Sequence, residues 1–289
     1  MGWQHVQSTI QVRTNPEVDG LNVINYNVRI FNVYKHLQKI NPQATTEMIG
    51  WLSQNNADIL CLQEYYNDPG SQLFNAEKKI KAGGFPYSHV AVNQKNRIEA
   101  EFGIAIFSKH PIINCGNVSF DVGQENKAIF ADIIYDRNDT IRVYNVHLYS
   151  MKLQVDDLIK EEEKRKKLHK TKNTFYQIRK GFIEHAKEAD ILKEHILSSP
   201  YPVILTGDFN EMPYSYSYLT FKSILQNSFE KAGNGLGFTY RENPSFIRID
   251  NQFSSLSFNV LSHKVHKELN YSDHYPVSVF YRLENNKKE

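Results

Sequence analysis

Cysteine is scarce in this chain: there are two among 289 residues, Cys61 and Cys115. They share no metal-type spacing, so the fold does not rest on a disulfide framework, and both read as buried packing thiols. A charge excess is missing too. The 34 basic and 32 acidic side chains leave a net +2, short of what a dedicated polyanion binder shows. No stretch approaches the ~20 apolar residues of a membrane span. Met1-Gly2-Trp3-Gln4-His5 has neither the basic nor the apolar region of a signal peptide. Val6 stands where a myristoylation signal needs Ser or Thr. The chain also lacks a Gly-x-x-x-x-Gly-Lys-Ser/Thr phosphate loop, a Gly-x-Ser-x-Gly nucleophile elbow, a His-Glu-x-x-His helix and a Cys/His cluster. These absences argue against P-loop, serine-hydrolase and zinc chemistry.

What is present reads as globular, with 40% hydrophobic and 23% charged residues. One α/β domain of this length buries roughly three quarters of its unfolded surface. Residues 1–20 look like an irregular leader, and 21–285 read as one domain without repeats or linkers. Strands are predicted at Leu21–Arg29, Asp58–Glu64, Phe102–Lys109, Ala128–Tyr135, Ile141–Leu148, Pro202–Asp208, Phe246–Leu256 and Pro276–Leu283, with a hairpin turn at Asp136–Asp139. Helical spacing covers Thr45–Gln54 and Ile183–Leu197, the latter with Ile183, Ala186, Ala189 and Ile191 among its apolar positions. Gly233–Gly237 reads as a turn. Residues 151–180 interrupt the rhythm as a polar helical insertion. Glu161, Glu162 and Glu163 precede Arg165, Lys166 and Lys167 by four positions, the order that supports an exposed helix. Lys164–Lys172 would suit a lid or a basic contact for an anionic substrate.

Chemistry-bearing residues fall at strand ends. Asn27 nearly closes the first strand, Glu64 the second and His147 the Ile141 strand, while Asp208 and Asn210 follow directly on the Pro202 strand. Ligands bind at the carboxyl ends of strands in α/β sheets, so these residues imply one shared site. With Asp273 they form an oxygen-rich set suited to a hard divalent cation. His147 and His274 can serve phosphoryl transfer as a base or as hydrogen-bond donors, and Asp250 can orient His274.

The motifs Asn27-Val28-Arg29, Leu62-Gln63-Glu64, Asn145-Val146-His147-Leu148, Gly207-Asp208-Phe209-Asn210, Arg248-Ile249-Asp250 and Ser272-Asp273-His274, in that order, resemble the endonuclease/exonuclease/phosphatase superfamily. The resemblance spans residues ~20–283. It implies a four-layer α/β sandwich, two mixed β-sheets packed face to face with helices outside. It assigns Asn27, Glu64 and Asp273 to the metal shell, with Glu64 as principal ligand. Asp208 and Asn210 match the pair that handles the attacking water and the phosphate. His147 matches a phosphate contact, and Asp250 and His274 match a carboxylate–histidine pair. Glu101 is expected to orient the first histidine. The chain is also similar to uncharacterised Bacteroidetes members with a helical insertion and a stretch like Pro213-Tyr214-Ser215-Tyr216-Ser217-Tyr218. One departure stands out: Asn251-Gln252 replaces the usual Tyr and apolar residue after Arg-Ile-Asp.

The resemblance implies a phosphoesterase, a phosphodiesterase first, using Mg²⁺ or Mn²⁺ with Ca²⁺ as an alternative. Substrates left open are DNA or RNA, a phospholipid or phosphoinositide, and a small ester. A silent binding module is the rival reading. A monomer is expected, either bacterial cytoplasmic or the soluble domain of a longer protein anchored to a membrane through a preceding segment.

Overall fold

The computed structural model describes residues 19–120, 128–136, 139–148, 183–242 and 246–284. Two six-stranded mixed sheets form it. The first has the order β11-β12-β1-β2-β4-β3 and the second β5-β6-β7-β8-β10-β9. Their strands are β1 Leu21–Asn27, β2 Ile59–Asn67, β3 Tyr87–Lys95, β4 Glu101–Ser108, β5 Ile112–Asn117, β6 Ala128–Asp136, β7 Asp139–His147, β8 Val203–Asp208, β9 Gln226–Asn227, β10 Asp250–Ser254, β11 Phe258–Val265 and β12 Val277–Leu283. The expected four-layer sandwich is the observed one.

Each sheet contains one parallel pair, β1 with β2 and β7 with β8. Parallel neighbours need a crossover, usually helical. The helix Pro42–Gln54 lies within the first crossover, and a helix over 183–197 lies within the second. The second crossover also contains the predicted insertion, 151–180, which lies outside the described residues, as does the leader up to residue 18. The buried side of helix 183–197 carries His185, Glu188, Ala189, Leu192 and Ile196, while Ile183 is exposed. Of the apolar positions named from sequence, Ala189 and Ile191 pack on the core and Ile183 does not, and two members of the docking face, His185 and Glu188, are polar.

Apolar residues fill three layers. Met48, Ile49 and Leu52 of helix Pro42–Gln54 pack on Ile24, Tyr26, Leu60 and Leu62 outside the first sheet. Val23, Ile59, Cys61, Ile104 and Ile106 meet Ile129, Ala131, Ile133, Ile141, Val143 and Ile204 between the sheets. Tyr144, Val146 and Leu205 lie under Ala189, Leu192, Ile196 and Phe221 outside the second. Strand alternation explains the split, since residues of one parity share a face.

The eight predicted strands are all present, with adjusted ends. The Leu21 strand stops at Asn27 because Arg29–Asn32 turns left-handed, with φ from +46° to +53°. The Phe246 strand shrinks to Asp250–Ser254. The four strands the sequence did not announce are β11, β3, β5 and β9, the four sheet edges. An edge strand is buried less completely than a central one, so polar residues interrupt its apolar pattern. Cys115 illustrates this: contrary to expectation it is exposed, on edge strand β5, while Cys61 is buried. Among the described residues, no helix is long and apolar enough to cross a membrane.

Candidate active site

Along the inter-sheet face, side chains change character toward one end. In β1 the sequence of inward residues is Val23, Asn25, Asn27; in β2 it is Ile59, Cys61, Gln63; in β7, Ile141, Val143, Asn145, His147; in β8, Ile204, Thr206, Asp208. A dry core gives way to neutral amides and then to titratable groups. Because the two parallel pairs end together, the structure gathers Asn27, Glu64, His147 and Asp208 into one cluster, joined by Asp250, Asp273 and His274.

Glu64 reaches the cluster by breaking strand regularity. The β2–β4 register shifts between Leu62 and Tyr65, and Glu64 takes φ +48°. A bulge of this kind re-aims a side chain. Asn210 is likewise left-handed, at φ +50°. Strained backbone of this sort concentrates where function over-determines geometry. Gly207 permits the tight approach of β8 to β7, because a Cβ there would lie 2.0 Å from the Val146 carbonyl oxygen.

Asn27 is a bridge. Its amide nitrogen donates to Glu64 Oε1 at 3.1 Å and to Asp208 Oδ2 at 3.0 Å, and its Oδ1 accepts from the Arg29 backbone N–H at 3.0 Å. Thus oriented, Asn27 holds the two carboxylates in place. His147 Nε2 stands 3.9 Å from Glu64 and 3.8 Å from Asp208, at the partly open mouth. Asn210 receives support from both sides: its backbone N–H donates to Asp208 Oδ1 at 2.9 Å, and its side-chain amide donates to the Leu148 carbonyl at 2.9 Å.

His274 lies deepest. Its Nδ1 is 2.8 Å from Asp250 Oδ2, and its Nε2 faces Asp208 Oδ2 at 3.7 Å. Burial by itself lowers an imidazole pKa, but the charges of Asp250 and Asp208 prevail and raise His274 to about 10. Asp273 accepts from Ser272 Oγ at 3.1 Å and pairs with Arg29 Nε at 3.5 Å. Arg29 also donates to Glu242 at 2.7 Å. Four carboxylates, Glu64, Asp208, Asp250 and Asp273, thus face the cations Arg29 and His274, an anionic surplus.

That surplus, with oxygen donors predominating, fits a hard divalent cation. Asp208, Asp250 and His274 each offer a ligand atom, all within 4.8 Å of one another, close enough to hold an ion. The His274–Asp250 hydrogen bond already engages Nδ1 and Oδ2, so the more accessible carboxylate of Glu64 is the better landing point.

Several contributors escaped the sequence reading. Thr239 Oγ1 accepts the backbone N–H groups of Ile249 and Asp250, each at 3.1 Å. The Tyr240 ring packs edge-on against His274 at 5.1 Å, and Arg29 restrains Asp273. Only Arg29, inside a quoted motif, carried any local signal. Glu101 needs a correction. It is 3.0 Å from Lys95 Nζ and accepts from Asn67 at 3.2 Å, so it belongs to the β3–β4 side of the first sheet, whereas His147 is flanked by Glu64 and Asp208. The Asn251-Gln252 departure is accommodated: Gln252 donates to the carbonyls of Val23 and Val277 at 3.2 and 3.0 Å, and accepts from Tyr281 at 3.1 Å.

A family model described as Endonuclease/Exonuclease/phosphatase family matches residues 26–274. The chain belongs to that family. Members of the endonuclease/exonuclease/phosphatase family are generally hydrolases of phosphate esters. Among curated proteins, the CCR4-Not complex 3'-5'-exoribonuclease subunit Ccr4 of Phaeosphaeria nodorum is 28% identical over 218 residues, 59% of this chain and 36% of the relative. The match thus spans about a third of that relative's length. Among solved structures, an endonuclease/exonuclease/phosphatase family protein from Bacteroides thetaiotaomicron superposes with a TM-score of 0.66 at 19% identity, covering 91% of this chain and 95% of the other. A mannosyl-6-phosphatase from the same species gives 0.63 at 19% identity, over 91% of this chain and all of that one. At these identities the structural likeness establishes the fold alone.

Proposed function

We propose that this protein is a divalent-metal-dependent phosphodiesterase that cleaves its ester by in-line attack of an activated water. The observation that carries this reading is the convergence of Glu64, Asp208, Asp250 and Asp273 with Asn27, His147 and His274 at the shared end of two parallel strand pairs. Glu64 would hold Mg²⁺ or Mn²⁺, with Asp273 and the amide of Asn27 beside it, and the chemistry such a cation would supply is polarisation of the phosphoryl oxygen and stabilisation of the leaving oxygen.

The residues of the chain have separable tasks in this proposal. Asp208 and Asn210 position the water. His147, at the mouth, donates to a non-bridging phosphate oxygen. His274, kept in one orientation by Asp250, supports the charge that develops as the P–O bond breaks. No helix-borne nucleophile or phosphate loop is required.

A panel of plasmid DNA, single-stranded RNA, sphingomyelin, phosphoinositides and bis-p-nitrophenyl phosphate, each with Mg²⁺, Mn²⁺ or Ca²⁺, tests the reading. The exoribonuclease relative makes single-stranded RNA the first substrate to try. Turnover by the wild type and loss of it in a folded Glu64→Gln variant is the expected result. Equal turnover by that variant, or activity indifferent to chelation, refutes the metal assignment.

A further inference from the structure

Three residues of the quoted motifs and of β1 have no part in the reaction as proposed: Asn25, Gln63 and Asn145. All three are fully buried. They occupy the amide layer between the dry inter-sheet core and the charged site, and they form one chain across both sheets. At one end Asn145 Nδ2 donates to the backbone carbonyls of Leu62 at 3.1 Å and Ala105 at 2.8 Å. In the middle Gln63 Nε2 donates to Asn145 Oδ1 and to Asn25 Oδ1, the latter at 2.8 Å; the Cys61 carbonyl lies 3.3 Å from the same nitrogen. At the other end Asn25 Nδ2 reaches Asp250 Oδ1 at 3.4 Å.

The polarity of this chain is determined from both ends. Carbonyl oxygens only accept, so Asn145 must present its NH₂ to Leu62 and Ala105 and turn its oxygen to Gln63. An ionised carboxylate also only accepts, so Asn25 must present its NH₂ to Asp250 and turn its oxygen to Gln63. Gln63 is left facing two acceptors and must donate to both. No other orientation of the three amides satisfies these contacts. Asp250 then accepts on both oxygens, from Asn25 on Oδ1 and from His274 Nδ1 on Oδ2.

We infer that Asn25 and Gln63 are positioning residues: through this oriented amide chain they hold Asp250 as a two-sided acceptor and so fix the Nδ1–H hydrogen bond and the ring orientation of His274. The inference rests on the proposed role of the Asp250–His274 pair. A carboxylate that fixes one nitrogen of an imidazole controls what the other presents, and a carboxylate free to rotate about its own bond does so poorly. Thr239 pins the backbone N–H of Asp250 and also hydrogen-bonds its carboxyl group, and Asn25 adds the restraint on Oδ1 that comes from the opposite sheet. The chain crosses from sheet to sheet at the level where apolar packing stops, so it also ties the site's geometry to the register of the whole sandwich.

The test compares Asn25→Ala, Gln63→Met and Asn25→Asp with Asp132→Asn, which weakens a buried ion pair far from the site. The Nδ1 proton of His274 is assigned as a downfield ¹H NMR resonance that disappears in His274→Gln. In Asn25→Ala and Gln63→Met that resonance should broaden or vanish while the proteins stay folded. On bis-p-nitrophenyl phosphate with Mg²⁺, kcat should fall about 10–100-fold with little change in KM. Asn25→Asp preserves shape and removes the donor, and it should be no better than Asn25→Ala. Asp132→Asn should lose stability but keep the resonance and kcat. If the Asn25 and Gln63 variants keep both the resonance and kcat, or lose stability alone as the control does, the inference is overturned. Because the resonance needs no turnover, a wild type inactive on this ester would count against the proposed function while the positioning of His274 is still decided.

Discussion

His274 and Asp250 form a buried pair 2.8 Å apart that stands directly behind Asp208. The pair is separated by 24 positions in sequence and is completed by the β-bridge that aligns Tyr240 with His274. If the pair acts as a unit, Asp250→Asn and His274→Ala should each lower kcat by about 10²–10⁴-fold. The double variant should be little worse than the poorer single, since groups acting together are strongly non-additive. Steady-state kinetics on the substrate revealed by the panel decides this. Losses that multiply in the double variant would mean that the two residues work independently.

Glu64 illustrates stability given up for function. Its φ of +48° is one that L-residues adopt at a cost of about 1–2 kcal/mol and that glycine accepts freely. Its carboxylate also adds to an anionic cluster. The Glu64→Gly variant should therefore unfold later on heating than the wild type, by about 1 kcal/mol, while losing metal-supported hydrolysis. Thermal melts in chelator compare the two proteins without a contribution from bound metal. If the variant melts earlier than the wild type, the contacts of the Glu64 side chain outweigh the backbone strain.

The central strands are legible in the sequence because burial on both faces leaves near-continuous apolar runs such as Ile59–Leu62 and Val203–Leu205. The motifs at their ends are legible because Asn27, Glu64, His147 and Asp208 interrupt those runs where a parallel pair must release its chain. Edge strands such as Tyr87–Lys95 are not, since half-exposed positions like Ser88 and Asn93 blur the alternation. The partners of Asp250 are also hidden: Asn25 lies 225 positions away, and nothing local in Asn25-Tyr26-Asn27 says which amide faces the carboxylate. Glu101 is misplaced by sequence reasoning for the related reason that an acid at a strand start meets whatever neighbouring strand the sheet order supplies, here Lys95 of β3.

His263 should make the fold sensitive to acid. It is buried, its Nδ1 is 3.0 Å from Ser228 Oγ, and burial together with the nearby Arg248 charge pushes its pKa down to about 3. Unfolding restores the ordinary histidine value, so between about pH 6.5 and 3 the unfolded chain binds the extra proton. Stability is then full above that window and is lost as pH falls through it. At pH 4.5 the loss from this residue alone is about 2–3 kcal/mol. His263→Phe should flatten the dependence of Tm on pH from 6.5 to 4.5. An unchanged slope would place the acid sensitivity in other groups.

Gln252 yields a prediction opposite to the usual effect of restoring a family pattern. Substitution toward what relatives carry commonly stabilises a protein, and the family resemblance implies an apolar residue at this position. Here Gln252 is fully buried and ties β10 of one sheet to β1 and β12 of the other, through the carbonyls of Val23 and Val277 and the hydroxyl of Tyr281. Gln252→Leu removes a donor from two carbonyls and an acceptor from a buried hydroxyl at once. Each buried group left without its partner costs about 1–3 kcal/mol, against a gain of apolar area that one Leu supplies only in part. Denaturant unfolding should show a net loss of about 2–4 kcal/mol. The Tyr281 hydroxyl keeps its contact with Ser228, so the loss falls mainly on the two carbonyls. If the Gln252→Leu variant proves as stable as the wild type, the sheets repack around the new side chain and the amide is dispensable to the sandwich.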